Sequence, residues 1–75
     1  MDWQSMETLI EEIAVAQKAK VLASGRRIVP TLTSDDMLQP NDFPELEVHP
    51  EFRYEEGVLS GVLTVQMALR AQQRE

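Results

Sequence analysis

Apolar positions along this chain fall into three regimes. In the first, Trp3, Met6, Leu9, Ile10, Ile13 and Val21 recur at spacings that share one broad helical face. Glu11, Glu12 and Lys18 lie roughly opposite, which predicts an amphipathic helix over residues 3–24. Asp2 is suited to its N-cap, and Gly25 stands where a C′ glycine belongs. Glu7, Glu11 and Glu12 crowd its first half and Lys18 and Lys20 its second, an order that complements the helix dipole. Val15 and Leu22 fall on the polar side and predict a second, smaller contact.

A second helical pattern runs over residues 50–73. Val58, Val62, Val65 and Leu69 follow a 4-3-4 spacing, a short heptad seam, with Leu59, Leu63 and Met67 along its flank. With Val58 at zero on a helical wheel, Gly57, Gly61, Thr64, Ala68 and Ala71 cluster between about 220° and 300°. That stripe holds no large side chain. A helical glycine costs roughly 1 kcal/mol relative to alanine, and close approach of another helix would offset this. Only an edge of Glu55, Gln66 and Arg70 is left for water. A helix so apolar around its circumference is normally central and buried. One other long helix covers only one of its faces, so the pattern predicts a homodimer closing a four-helix arrangement. The predicted dimer contact is Gly57, Val58, Gly61, Val62, Val65, Ala68 and Leu69.

Residues 26–49 follow neither pattern. RRIVPTLT reads as extended chain, with Pro30 arguing against a central strand. Thr33 or Ser34 is placed to cap a short turn over residues 35–38, which Pro40 stops. Pro44 suits the first turn of another short helix and Pro50 the opening of the last. The connection exceeds the roughly two to eight residues usual between bundle helices. It nevertheless carries Ile28, Val29, Leu32, Met37, Leu38, Phe43, Leu46 and Val48, more apolar residues than a disordered linker holds. An ordered, irregular strap is therefore expected, with Phe43, Phe52 and Tyr54 pinning it to the first helix near Trp3. Arg53 is spaced to pair with Glu56.

Composition sharpens this picture. Seventy-five residues make one small domain, 1–75, near the lower size limit for an independent core. There is no cysteine and one histidine, which excludes disulfides, thiolate metal sites and a cysteine nucleophile. Helix packing or oligomerisation must then supply the stability. The net charge is −6. Residues 1–34 balance, residues 57–75 carry a small positive excess, and the negative charge is concentrated in residues 35–56. Such a field disfavours nucleic acid and anionic lipid as partners. The opening MDWQSMETLIEE lacks the basic region and apolar run of a secretory signal. The nearly apolar window from Val58 to Leu69 falls short of the roughly 20 residues of a membrane span. A soluble, cytoplasmic protein with no membrane partner is expected.

Candidate chemistry is sparse. Asp35, Asp36, Asp42, Glu45 and Glu47 supply oxygens, but not in the order of a calcium-binding EF-hand loop. They read better as a solvated acidic face, a docking surface for a basic protein partner. His49, near Glu47, Glu51 and Glu55, is the one candidate acid–base group. No nucleophile motif or phosphate-cradling glycine loop is present, so an enzyme is not expected, nor a cofactor or bound metal. The sequence therefore predicts an all-α chain of two long helices joined by an ordered strap with short helical turns. Its expected role is that of a small bacterial-type adaptor or regulatory subunit, homodimerising through the second long helix. The competing reading is a carboxylate-based divalent-metal or small-ligand domain using those acids and His49.

Overall fold

The computed structural model describes residues 1–39 and 42–74; of Leu38 it describes the backbone only. Helix α1 spans Trp3–Arg26, a 3-10 turn spans Asp36–Leu38, α2 spans Pro44–Glu47, and α3 spans Pro50–Arg74. Among the described residues there is no strand. The two long helices are those the hydrophobic pattern predicts. They run antiparallel, since Gln17 meets Glu55, Glu11 meets Gln66 and Glu7 meets Arg70.

Local chemistry sets most boundaries. Pro44 occupies the first turn of α2 and Pro50 begins α3, positions where a missing N–H costs nothing. Thr33 and Asp36 cap each other: the Asp36 N–H donates to Thr33 Oγ1 at 3.2 Å, and the Thr33 N–H donates to Asp36 Oδ2 at 2.9 Å. Pro40, the predicted stop of this turn, lies outside the described residues.

Asp2 caps α1, its Oδ1 accepting the Ser5 N–H at 2.7 Å. Hydrogen bonds from the Ser5 backbone, and secondarily from its side chain, hold the Asp2 carboxyl below its ordinary 3.8. A folded-state pKa below the unfolded one contributes stability above the unfolded value, lost as pH falls through the folded value. The parent chain should therefore lose helical stability on acidification below about pH 4 with an increment that Asp2→Ala lacks. Thermal melts by circular dichroism at stepped pH read this. Parallel curves for the two proteins would contradict it.

The segment after α1 differs from the extended chain predicted. The N–H groups of Ile28 and Val29 both donate to the Gly25 carbonyl, at 3.0 and 2.8 Å, and the Leu32 N–H donates to the Val29 carbonyl at 2.9 Å. Arg26 Nε closes the turn onto the Leu32 carbonyl at 2.8 Å. RRIVPTLT is thus a run of tight turns that swings Leu32 back beneath α1. Gly25 is correspondingly not a C′ glycine. The helix continues to Arg26, and no glycine among the described residues has positive φ.

The core gathers at this closed end. Val21, Leu32, Leu46 and Phe52 are buried together, with Leu22, Ile28, Val29, Met37, Phe43 and Leu59 packed around them. The strap is ordered, as its apolar content predicts; of the two residues expected to make a second contact, Leu22 packs against this same core and Val15 is exposed. The aromatic residues separate. Phe52 and Phe43 belong to the core, and Tyr54 is exposed. Trp3 is not near them: it lies at the open end of the hairpin, beside Arg70, Gln73 and Arg74.

Candidate functional site

Away from the strap, α1 and α3 meet through polar groups. Gln17 Nε2 donates to the Glu55 carbonyl at 3.0 Å and to its Oε1 at 3.1 Å. Gln66 Nε2 donates to Glu11 Oε2 at 2.6 Å. Arg70 Nε donates to Glu7 Oε1 at 3.2 Å, and its Nη2 approaches Glu11 Oε2 at 3.6 Å. Gln17 and Gln66 are buried. The edge of Glu55, Gln66 and Arg70, expected to face water, instead faces α1.

The reason lies in helix rigidity. Phe52, Leu59 and Gln66 are seven residues apart, and Arg70 follows Phe52 by eighteen, about five turns. Once Phe52 and Leu59 dock into the core, α3 carries Gln66 and Arg70 onto the same side. On α1 the corresponding line is Trp3, Glu7, Ile10, Ala14, Gln17, Val21 and Ser24, a continuous 4-3 spacing centred on Ala14.

This register leaves large apolar side chains outside. Leu9 and Ile13, assigned by the sequence to the buried face, are 46% and 44% exposed. On α3, Val65 is 51% exposed, while Val58, Val62 and Leu69 are half-buried. Gly57, Gly61, Thr64, Ala68 and Ala71 are all exposed. A Cβ built on Gly57 or Gly61 would meet nothing within 4 Å, so the small-residue stripe does not pack on this chain's own α1.

The two apolar flanks lie on one side of the hairpin. On the α1 wheel, Met6, Leu9 and Ile13 lie within about 60°, just beyond Gln17; on α3, Val58, Val62, Val65 and Leu69 lie within about 60°, just beyond Glu55. Gln17 and Glu55 bond to each other, and Arg27 pairs with Glu51 further along the same side. In antiparallel helices that arrangement makes the flanks neighbours. Of the α1 charges, Glu7, Glu11 and Lys18 fall on its other side, Glu12 lies on its back and shares a groove with Leu9, and Lys20 bounds the apolar flank at the strap end. Helix α3 has no charge at all from Gly57 to Leu69.

The acidic segment is dispersed. Asp35, Asp42, Glu45 and Glu47 are exposed, and Asp36 is half-buried in its capping pair with Thr33. Among the described residues no three Asp, Glu or His side chains converge as a metal-ligand set. His49 is half-buried at the start of α3. Its N–H donates to the Leu46 carbonyl at 3.2 Å, its carbonyl accepts the Arg53 N–H at 3.0 Å, and its Nδ1 has no hydrogen-bond partner. Glu51 and Glu55, its expected acidic neighbours, are engaged by Arg27 and Gln17 instead. Arg53 pairs with Glu56 at 3.0 Å, as its spacing predicts. Shallow open grooves lie near the free end, one lined by Gln4, Glu7, Thr8, Glu11, Glu12 and Arg70. Comparison with known proteins finds no matching family model, curated protein or solved structure.

Proposed function

We propose that this chain is a homodimeric protein–protein interaction module, an adaptor or regulatory subunit whose acidic strap receives a basic partner surface. One observation carries the reading: the glycine stripe of α3 lies outside the chain's own packing, and the valine–leucine seam beside it is only half covered, with Val65 exposed. A second hairpin laid there would complete a four-helix arrangement and bury surface that a two-helix unit leaves in water. The exposed Asp35, Asp42, Glu45 and Glu47, with Asp36 beside them, form the partner face. They attract a basic surface and make its binding salt-dependent.

Sedimentation equilibrium over a range of concentrations tests the dimer. The parent chain should show a reversible monomer–dimer equilibrium. Gly61→Leu should shift it at least tenfold towards monomer. Because the hairpin places nothing near Gly61, this variant should keep the parent's helical circular dichroism. A Gly61→Leu protein that is as dimeric and as stable as the parent would place the stripe in solvent.

A further inference from the structure

We infer that the second copy seats on a composite face built by both long helices, with Met6, Leu9 and Ile13 of α1 sharing the contact with Val58, Val62, Val65 and Leu69 of α3. This rests on the dimer reading and adds to it a helix and a side.

The first support is area. A compact monomer of 8.5 kDa exposes roughly 4,700 Å² on the usual mass scaling. This chain exposes 5360 Å², an excess of roughly 700 Å². A stable interface of standard size takes roughly 800 Å² from each partner. The radius of gyration agrees: it is 14.2 Å, against roughly 11 Å for a compact domain of this length. The chain is a long, thin hairpin of 41 × 20 × 17 Å, with its core confined to the strap end. The surplus surface is of the size that one more copy would cover.

The second support is the asymmetry of charge. A partner recognised by ion pairs would need charge at the centre of the face it meets, and the patch of Met6, Leu9 and Ile13 with residues 57–69 of α3 has none, Glu12 and Lys20 standing at its edges. The opposite flank carries Glu7, Glu11 and Lys18, with Arg70 drawn to it by Glu7 and Glu11. Exposed apolar residues there, Val15 and Met67, stand among those charges. Charge depletion around aliphatic side chains is the composition of an interface centre. The face is also suited to meeting itself: a two-fold contact requires one patch complementary to its own copy, and an uncharged patch contains no like-charge pair to bring together.

The test uses the full chain in sedimentation velocity, with far-UV circular dichroism as a check on folding. Leu9→Glu/Ile13→Glu should weaken dimerisation at least tenfold, while Val15→Glu/Met67→Glu on the opposite flank should leave it within about twofold of the parent. The chain has no cysteine of its own, so a single introduced thiol gives a second readout without a charge in the contact. The thiol of Ile13→Cys should react with a maleimide more slowly as protein concentration rises, and that of Val15→Cys at a constant rate. If Gly61→Leu dissociates the dimer but Leu9→Glu/Ile13→Glu and Ile13→Cys labelling show no effect, α1 is outside the contact and the composite face is wrong. If the parent is monomeric at every concentration, the dimer reading itself falls.

Discussion

Phe52→Ala is expected to leave the chain largely unfolded at room temperature. Phe52 has no exposed surface and packs with Val21, Leu32 and Leu46 at the one point where α1, the strap and α3 meet. Removing a buried phenylalanine ring costs about 3–5 kcal/mol through lost transfer energy and the cavity left behind. A chain of this length has roughly 4–11 kcal/mol of stability, at the usual 0.05–0.15 kcal/mol per residue. Its core is small, so the lower part of that range applies. The deletion also unties the strap, because no other aromatic ring among the described residues is fully buried. Urea unfolding followed at 222 nm reads the effect. The midpoint should fall sharply or the folded baseline vanish, whereas Tyr54→Ala, at an exposed position two residues on, should lie within about 0.5 kcal/mol of the parent. A Phe52→Ala midpoint equal to the parent's would mean that the strap end is not the stabilising core.

The second large effect is at Gly25, and its sign is opposite to the usual one. Glycine to alanine within a helix normally stabilises by about 1 kcal/mol. Here the added Cβ would lie 2.5 Å from Leu32 Cδ2 and 3.3 Å from Phe52 Cε1, both on fully buried side chains. Neither can move without displacing the rest of the core, and such overpacking costs about 1–3 kcal/mol. Gly25→Ala should therefore be destabilising by up to about 2 kcal/mol net, seen as a lower urea midpoint with an unchanged slope. Gly61→Ala provides the contrast, since its Cβ would meet nothing. In dilute solution, where chains are separate, it should raise stability by about 0.5–1 kcal/mol. A stabilised Gly25→Ala would show that Leu32 and Phe52 yield more easily than their burial implies.

Gly25 also illustrates where reading the chain alone stops. A glycine at the penultimate position of a helix and a C′ glycine just beyond it look the same in sequence. What separates them is Leu32, seven residues later, returning to occupy the space a side chain would need. The polar seam was hidden for a related reason. The 4-3 line through Trp3, Ile10, Ala14, Gln17 and Val21 was present all along. Its alternation of large, small and polar residues is invisible to a count of apolar positions, which favours Leu9 and Ile13 because they are larger.

Features set by neighbours in sequence were legible. The two long helices, the Asp2 cap, the Pro44 and Pro50 starts, the Thr33-capped turn and the Arg53–Glu56 pair all follow from contacts spanning four residues or fewer, or from the periodicity of one helix. So did the order of the strap, because apolar side chains in that number have to find cover. Which face of each helix turns inward was not legible. That choice depends on where Phe52 and Leu59 meet Val21, and a rigid helix then carries the choice about two and three turns beyond Leu59, to Gln66 and Arg70. Tertiary packing at one end thus assigned buried positions to Gln17 and Gln66 and left Leu9, Ile13 and Val65 outside the hairpin's own packing. The glycines at 57 and 61 face away from α1 as a result, and that outcome no property of the glycines themselves could have predicted.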